Sequence, residues 1–190
     1  MFIIKEFICL ILIFKKIEIT LTQLRLMGPY WLDIKEYKRC NSSIDYPIQF
    51  NLFPRITTKY SQILFGNITL KQPLDDSLSI HMLSEKYDSV GLWKENSLVN
   101  VKNACSSMKS GMFGEKSWKY FVNIFQIPTI NCPLPKGHYI SRGYDSATFK
   151  DSNFPKSFFY GKYSFRTHLL DNKNNLISCT IVSLEFKPFS

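Results

Sequence analysis

Residues 162–170, Lys-Tyr-Ser-Phe-Arg-Thr-His-Leu-Leu, decide the fold class. Tyr163, Phe165, Thr167 and Leu169 fall on one parity, and Lys162, Ser164, Arg166 and His168 on the other. A strand with one buried and one wet face requires this period of two, whereas a helix would place its apolar residues three and four apart. Asp171-Asn172-Lys173-Asn174 supplies turn residues, and a second strand follows from Leu176 to Phe186. In that strand Ile177, Cys179 and Ile181 share one parity while Val182, Leu184 and Phe186 take the other. The pattern predicts a β-bulge near residue 181.

Toward the N-terminus, Tyr139 to Phe149 reads as a further strand. Before it, Trp118, Phe121, Val122 and Phe125 recur at helical spacing, with Lys116, Lys119 and Asn123 elsewhere around the turn. Val101 to Phe125 therefore reads as one or two short helices, interrupted at Gly111 and Gly114 and ended by Pro128. Tyr87 to Val99 reads as strand, with Gly91 a bulge or turn. Leu78, Ile80 and Met82 face one way and Ser79 and His81 the other, and Lys59 to Leu70 ends in the same alternation, with Pro73 and Asp75-Asp76 turning the chain between them. Tyr30 to Tyr37 is the first strand, followed by a polar turn at Cys40-Asn41-Ser42-Ser43. Pro47 and Pro54 make Tyr46 to Phe53 an irregular or extended stretch. Strands, a central helical insert and more strands describe a mainly β, antiparallel sandwich. No repeat or linker divides residues 27–190, which read as a single domain.

A chain of 190 residues suffices for a sizeable core, and its 16 Phe, 10 Tyr and 3 Trp favour a bulky β interior. Lys and Arg exceed Asp and Glu by 24 − 15 = 9, but the cations arrive singly or in pairs such as Lys15-Lys16 and Lys38-Arg39. The pattern fits a basic surface or attraction to anionic headgroups; nucleic acid is not expected as a partner. Lys5 and the apolar run Phe7 to Phe14 make residues 1–26 a signal-peptide candidate, too short to span a bilayer. Glu6 beside the run and Lys15-Lys16 after it depart from that pattern and leave the cleavage site unassigned, and a short buried or surface helix or a misplaced chain start are the other readings. Loss of this leader would remove Cys9 and leave Cys40, Cys105, Cys132 and Cys179, enough for two disulfides in any of three connectivities. Their wide gaps, with no C-x-x-C pair, give no metal site. Asn41-Ser42-Ser43 and Asn67-Ile68-Thr69 are glycosylation sequons, consistent with a secreted, extracellular protein.

Catalysis finds no support in the sequence. There is no G-x-S-x-G elbow, H-E-x-x-H helix, G-x-x-x-x-G-K loop or G-x-G-x-x-G turn, so neither enzyme activity nor a cofactor is expected. His81, His138 and His168 lie in strand-like contexts and read as structural or surface residues.

The segment Cys132-Pro133-Leu134-Pro135-Lys136-Gly137-His138-Tyr139 resembles the C-P-x-x-x-G-x-Y signature of insect proteins similar to the ganglioside activator and the chemosensory B family, related to the ML lipid-recognition superfamily. Cys40 after the first strand, Asn103-Ala104-Cys105 before an aromatic helix, Gly161-Lys162-Tyr163 and Cys179 in the last strand follow in the matching order, over roughly residues 30 to 187. The resemblance implies a cup-like sandwich that holds acyl chains or other apolar molecules between its sheets. It also implies the pairs Cys40–Cys179 and Cys105–Cys132, for which chain entropy predicts about 4–5 and about 3 kcal/mol. This sequence has fewer cysteines than the ganglioside activator.

The residues themselves point the same way. Met112, Phe113, Trp118, Phe121, Val122, Phe125, Phe154, Phe158 and Phe159 offer more aromatic and apolar surface than a filled sandwich needs, and are the candidate ligand-binding set. Phe158-Phe159-Tyr160 also reads as a membrane-contact loop, and Lys116, Lys119 and Lys136 as rim cations. The expected function is a secreted carrier of a lipid or other hydrophobic small molecule. The alternative is a receptor-docking or signalling accessory with a filled sandwich.

Overall fold

The computed structural model describes residues 11–16 and 26–189. In chain order the strands are β1 (Met27–Gly28), β2 (Tyr30–Arg39), β3 (Ile48–Thr58), β4 (Ser61–Leu70), β5 (Ser79–Tyr87), β6 (Trp93–Val101), β7 (Gly137–Ile140), β8 (Tyr144–Asp145), β9 (Phe158–Phe159), β10 (Gly161–Leu170) and β11 (Leu176–Pro188). A helical run lies between β6 and β7: α1 (Ala104–Ser106), a π-helical stretch Ser107–Phe113 and α2 (Gly114–Ile124). Every ladder is antiparallel. Five strands form one sheet in the order β2-β11-β10-β5-β6; β3-β4-β7 form the other, with β8 also on β4. The architecture is the mainly β, antiparallel sandwich that alternation predicts, with its helical insert in the middle of the chain.

The stretch 162–170 lies in β10, where Tyr163 and Leu169 are buried and Lys162 and Arg166 exposed. The bulge expected near residue 181 does not occur. Pairing with β10 runs unbroken from Gly161↔Phe186 to Leu169↔Ser178, so Ser178, Thr180, Val182, Leu184 and Phe186 share one face with Leu169, Thr167, Phe165 and Tyr163. The apparent change of phase arises because the inner face begins with Ser178 and Thr180, while apolar Ile177, Cys179 and Ile181 take the other. The irregularity here sits on the β2 side instead, where Ser183↔Glu36 gives way to Leu184↔Ile34 and Lys35 is the extra residue.

Three other expectations are corrected. Of the two readings of Tyr46 to Phe53, the extended one holds, since from Ile48 it is strand, but Pro54 does not end it and sits inside β3. The edge position explains this, because β3 pairs only with β4 and a proline there removes no donor from a central ladder. Tyr139 to Phe149 is not one strand, since Ser146–Asp151 is a 3-10 helix; Asp145 caps it by accepting from Ala147 N at 2.8 Å. Gly111 lies within the π-helical stretch rather than interrupting it, and only Gly114, with φ of 71°, divides the run. Gly91 proves to be in a turn, with φ of 85°, between β5 and β6; there the Asp88 carboxylate accepts from Val90 N and Leu92 N.

The helical run starts where another loop receives it. Asp76 accepts from both Ser106 N, at 2.7 Å, and Ser106 Oγ, at 2.5 Å, and these bonds hold its carboxyl below the usual range. The disulfide Cys105–Cys132 then ties the run to the segment before β7, while Cys40–Cys179 joins the end of β2 to β11. The leader assigned to residues 1–26 lies mostly outside the described residues. Within it, 11–16 are helical and exposed, and no helix among the described residues is long and apolar enough to cross a membrane.

Candidate functional site

The space between the sheets is not filled along its length. A cavity of about 240 Å³ opens where the inner-face positions of β10 and β11 become short. Thr167, Ser178 and Thr180 stand there instead of aromatic residues, and Ile80, Leu169 and Val182 complete that wall. Phe50, Leu52 and Leu64 face it from the second sheet, and Met108, Met112, Phe113, Phe121 and Phe125 close it from the helical run. Nothing charged lines it. The cavity lies between an apolar hole of roughly 150 Å³ that stays dry and binds benzene and the roughly 300–1,000 Å³ of ordinary small-molecule sites. That size suits one acyl chain or one compact ring system.

Its polar groups are neutral hydroxyls. Tyr37 reaches the cavity from β2, opposite Val182, and burial raises its phenol above the ordinary value. Tyr144 lines the other side, is 3% exposed, and is pushed up to about 12, chiefly by burial. Thr148 Oγ1 donates to the Asp145 carbonyl at 2.6 Å, and the Tyr144 hydroxyl is left without a hydrogen-bond partner. Both phenols are protonated at neutral pH. They can offer a hydrogen bond and no charge.

The sequence-derived candidates divide by position. Met112, Phe113, Phe121, Phe125 and Phe154 line the cavity. Trp118 and Val122, each 1% exposed, pack behind it, with Trp118 Nε1 donating to the Ile130 carbonyl at 2.8 Å. Phe158 and Phe159 are elsewhere. They form β9 against β1, Phe158 stacks on Phe186 at 4.4 Å, and Phe159 is half exposed under the Lys86 ammonium. Phe158-Phe159-Tyr160 is therefore a paired ribbon, not a free loop, and Tyr160 N donates to the Leu26 carbonyl.

Of the rim cations, Lys116 pairs with Asp151 at 3.0 Å, and none of Lys116, Lys119 and Lys136 lines the cavity. Sequence reasoning missed the sheet walls, Phe50, Leu52 and Leu64 on one side and Tyr37, Thr167, Ser178 and Thr180 on the other, as well as Met108, Tyr144 and Phe149. For Thr167, Ser178 and Thr180 the available signal was the interruption of large apolar residues on the inner parity of two strands.

A polar seam borders this site. Gln62 of β4, 3% exposed, accepts from Ile34 N at 2.7 Å and donates to the Ile34 carbonyl at 3.1 Å, so one side-chain amide satisfies β2 as a neighbouring strand would. Asp33 beside it accepts from Gln62 Nε2 and pairs with Lys35 and Lys187. Burial raises the Asp33 pKa, but the Lys187 and Lys35 ammonium groups outweigh it and hold the carboxyl below its ordinary value.

On the outer face Cys40, Cys179 and His168 meet, with their ligand atoms within 4.8 Å, but the two sulfurs are bonded to each other and leave no thiolate for a metal. His138 shares a hydrogen bond with Thr69 Oγ1 at 2.9 Å. Asn41 is exposed in its turn, whereas Asn67 is half-buried in β4 and accepts from Asn51 Nδ2.

No family model and no curated protein sequence matches the chain. Among solved structures it is similar to chicken MD-1 complexed with lipid IVa, with 12% identity and a TM-score of 0.42, over 84% of this chain and 99% of that one.

Proposed function

We propose that this protein is a non-enzymatic carrier that holds the apolar part of a lipid or similar small molecule between its two sheets. One observation carries the reading: an uncharged, aromatic- and methionine-lined cavity in the position where a filled sandwich would have core. A receptor-docking accessory with a filled sandwich would have no use for such a space. Hydrophobic burial at about 25 cal/mol per Å² drives entry, and the neutral hydroxyls of Tyr37 and Tyr144 orient the ligand.

The resemblance of the Cys132 to Tyr139 segment to ganglioside-activator-like proteins supports the same reading. Two disulfides suit an oxidising compartment, so the protein is read as secreted, with a leader over residues 1–26, one domain over 27–190, and a glycan at exposed Asn41 and at Asn67. Exposed Phe159, Leu92 and Trp93 at one end of the five-stranded sheet would serve transient membrane contact during loading.

The test is organic extraction and mass spectrometry of protein secreted from eukaryotic cells. A stoichiometric apolar molecule is the expected result. An oxidised protein that yields none, and that also fails to take up a fluorescent fatty acid, would refute the carrier reading.

A further inference from the structure

Phe149 belongs to two hollows. It lines the inter-sheet cavity and also a groove of 460 Å³ whose walls include Tyr30, Trp31, Tyr60, Phe189, Lys150 and Lys156. The hollows differ in chemistry. The cavity holds no charge, whereas ammonium groups surround the groove: Lys150 and Lys156 line it, Lys59 lies 5.0 Å from the Tyr60 ring and Lys187 5.3 Å from the Trp31 ring.

Most nearby carboxylates are paired with other lysines, Glu185 also with Lys187, while Asp145 is hydrogen-bonded to neutral donors and keeps its single charge against the two of Lys150 and Lys156. Asp151 pairs with Lys116, Asp33 with Lys35 and Lys187, and Asp145 accepts from Ser61 Oγ and Ala147 N. Lys156 donates only to the Ser152 carbonyl, and Lys150 has no ion pair among the described residues. Positive charge is thus left over on the groove side. On the cavity side the Tyr144 ring lies 5.9 Å from that of Phe149, and its buried hydroxyl has no partner, an arrangement that favours a ligand with a polar atom near this junction.

We infer that the ligand is a single-tailed amphiphile with an anionic head: its tail fills the inter-sheet cavity, its carboxylate or phosphate ester lies in the groove beside Lys150 and Lys156, and Phe149 stands at the junction. The inference rests on the carrier reading and narrows it to a ligand class. One tail is set by the volume of the cavity, and the sign of the head by the lysines.

The experiment is calorimetric titration of the delipidated full chain at neutral pH with dodecanoate, 1-dodecanol and dodecyl phosphate, at low and high salt. Dodecanoate should bind about tenfold more tightly than the alcohol of equal length, with an advantage that shrinks as salt rises. K150Q/K156Q changes two exposed side chains and gives up the bond from Lys156 to the Ser152 carbonyl; it should erase the advantage while leaving dodecanol binding as it was, with thermal unfolding measured to confirm that the variant is folded. Whichever of the two anions binds better names the head. Equal affinity for acid and alcohol, or an advantage that survives both high salt and the double substitution, overturns the inference and leaves the carrier reading standing. Binding of none of the three probes overturns both.

Discussion

The two ends of the β10–β11 pair have the same backbone and opposite interiors. At one end the inner face carries Tyr163, Phe165, Leu184 and Phe186; Tyr30 and Phe158 pack on Phe186 with ring centroids at 4.7 and 4.4 Å. At the other end the paired residues are Thr167↔Thr180 and Leu169↔Ser178, and the cavity lies over them. Register within this pair does not change between the ends, so along β10 and β11 the difference is one of side-chain volume and not of strand pairing. The aromatic end is a structural core, and the short-residue end is the candidate site.

The strongest way to break this contrast is Phe186→Ala. Truncating an aromatic in a packed cluster should cost about 3–5 kcal/mol, read from urea unfolding at unchanged m-value. A cost well under that would mean the aromatic end is as loosely packed as the cavity end. Next is the staple behind the cavity wall: Cys40→Ala with Cys179→Ala should cost about 2–5 kcal/mol, and the midpoint of the wild type under reduction, which also opens Cys105–Cys132, should fall below that of the oxidised variant. Thr180→Leu attacks the other side of the comparison. Filling the cavity should leave stability unchanged or raise it by about 1 kcal/mol, while uptake of a fluorescent fatty acid falls by at least about tenfold. Unaltered uptake would place the ligand elsewhere.

Two smaller effects are pH-linked. The Asp33 pKa is lowered on folding, so its ion pairs contribute stability above the ordinary value of 3.8 that is lost as pH falls below it through the folded value. Asp33→Asn should flatten acid unfolding in that window and cost stability at neutral pH. His168, on the outer face behind the cavity wall, has its pKa lowered by burial, then by Arg166 and His81. Unfolded chain takes up the proton first, so stability should decline modestly as pH falls below 6.5 and level off below the folded value. His168→Gln should remove that slope, as measured by midpoints at successive pH values.

Much of the fold was legible because alternation is a local property. Tyr163 and Leu169 could be assigned inward from their neighbours alone, and the turn after Leu170 from its own residues. Pro54 was misread because tolerance of proline depends on whether the strand is at a sheet edge, which β3 itself does not encode. The stretch 146–151 was misread because Asp145 capping, rather than apolar spacing, sets its conformation. Among site candidates, Phe121 and Phe125 line the cavity while Trp118 and Val122, on the same helix, pack behind it. Helical periodicity distinguishes a buried face from a wet one, but does not distinguish two buried directions.

Sequence by itself determined the strand-rich class, the place of the helical insert and the aromatic supply. Tertiary structure alone decided where that supply fills space and where it surrounds it. The physical reason is that a cavity is the difference between the width of the inter-sheet gap and the summed reach of facing side chains. Those side chains, such as Thr180 and Phe50, come from strands far apart in the chain, and only the sheet topology brings them face to face.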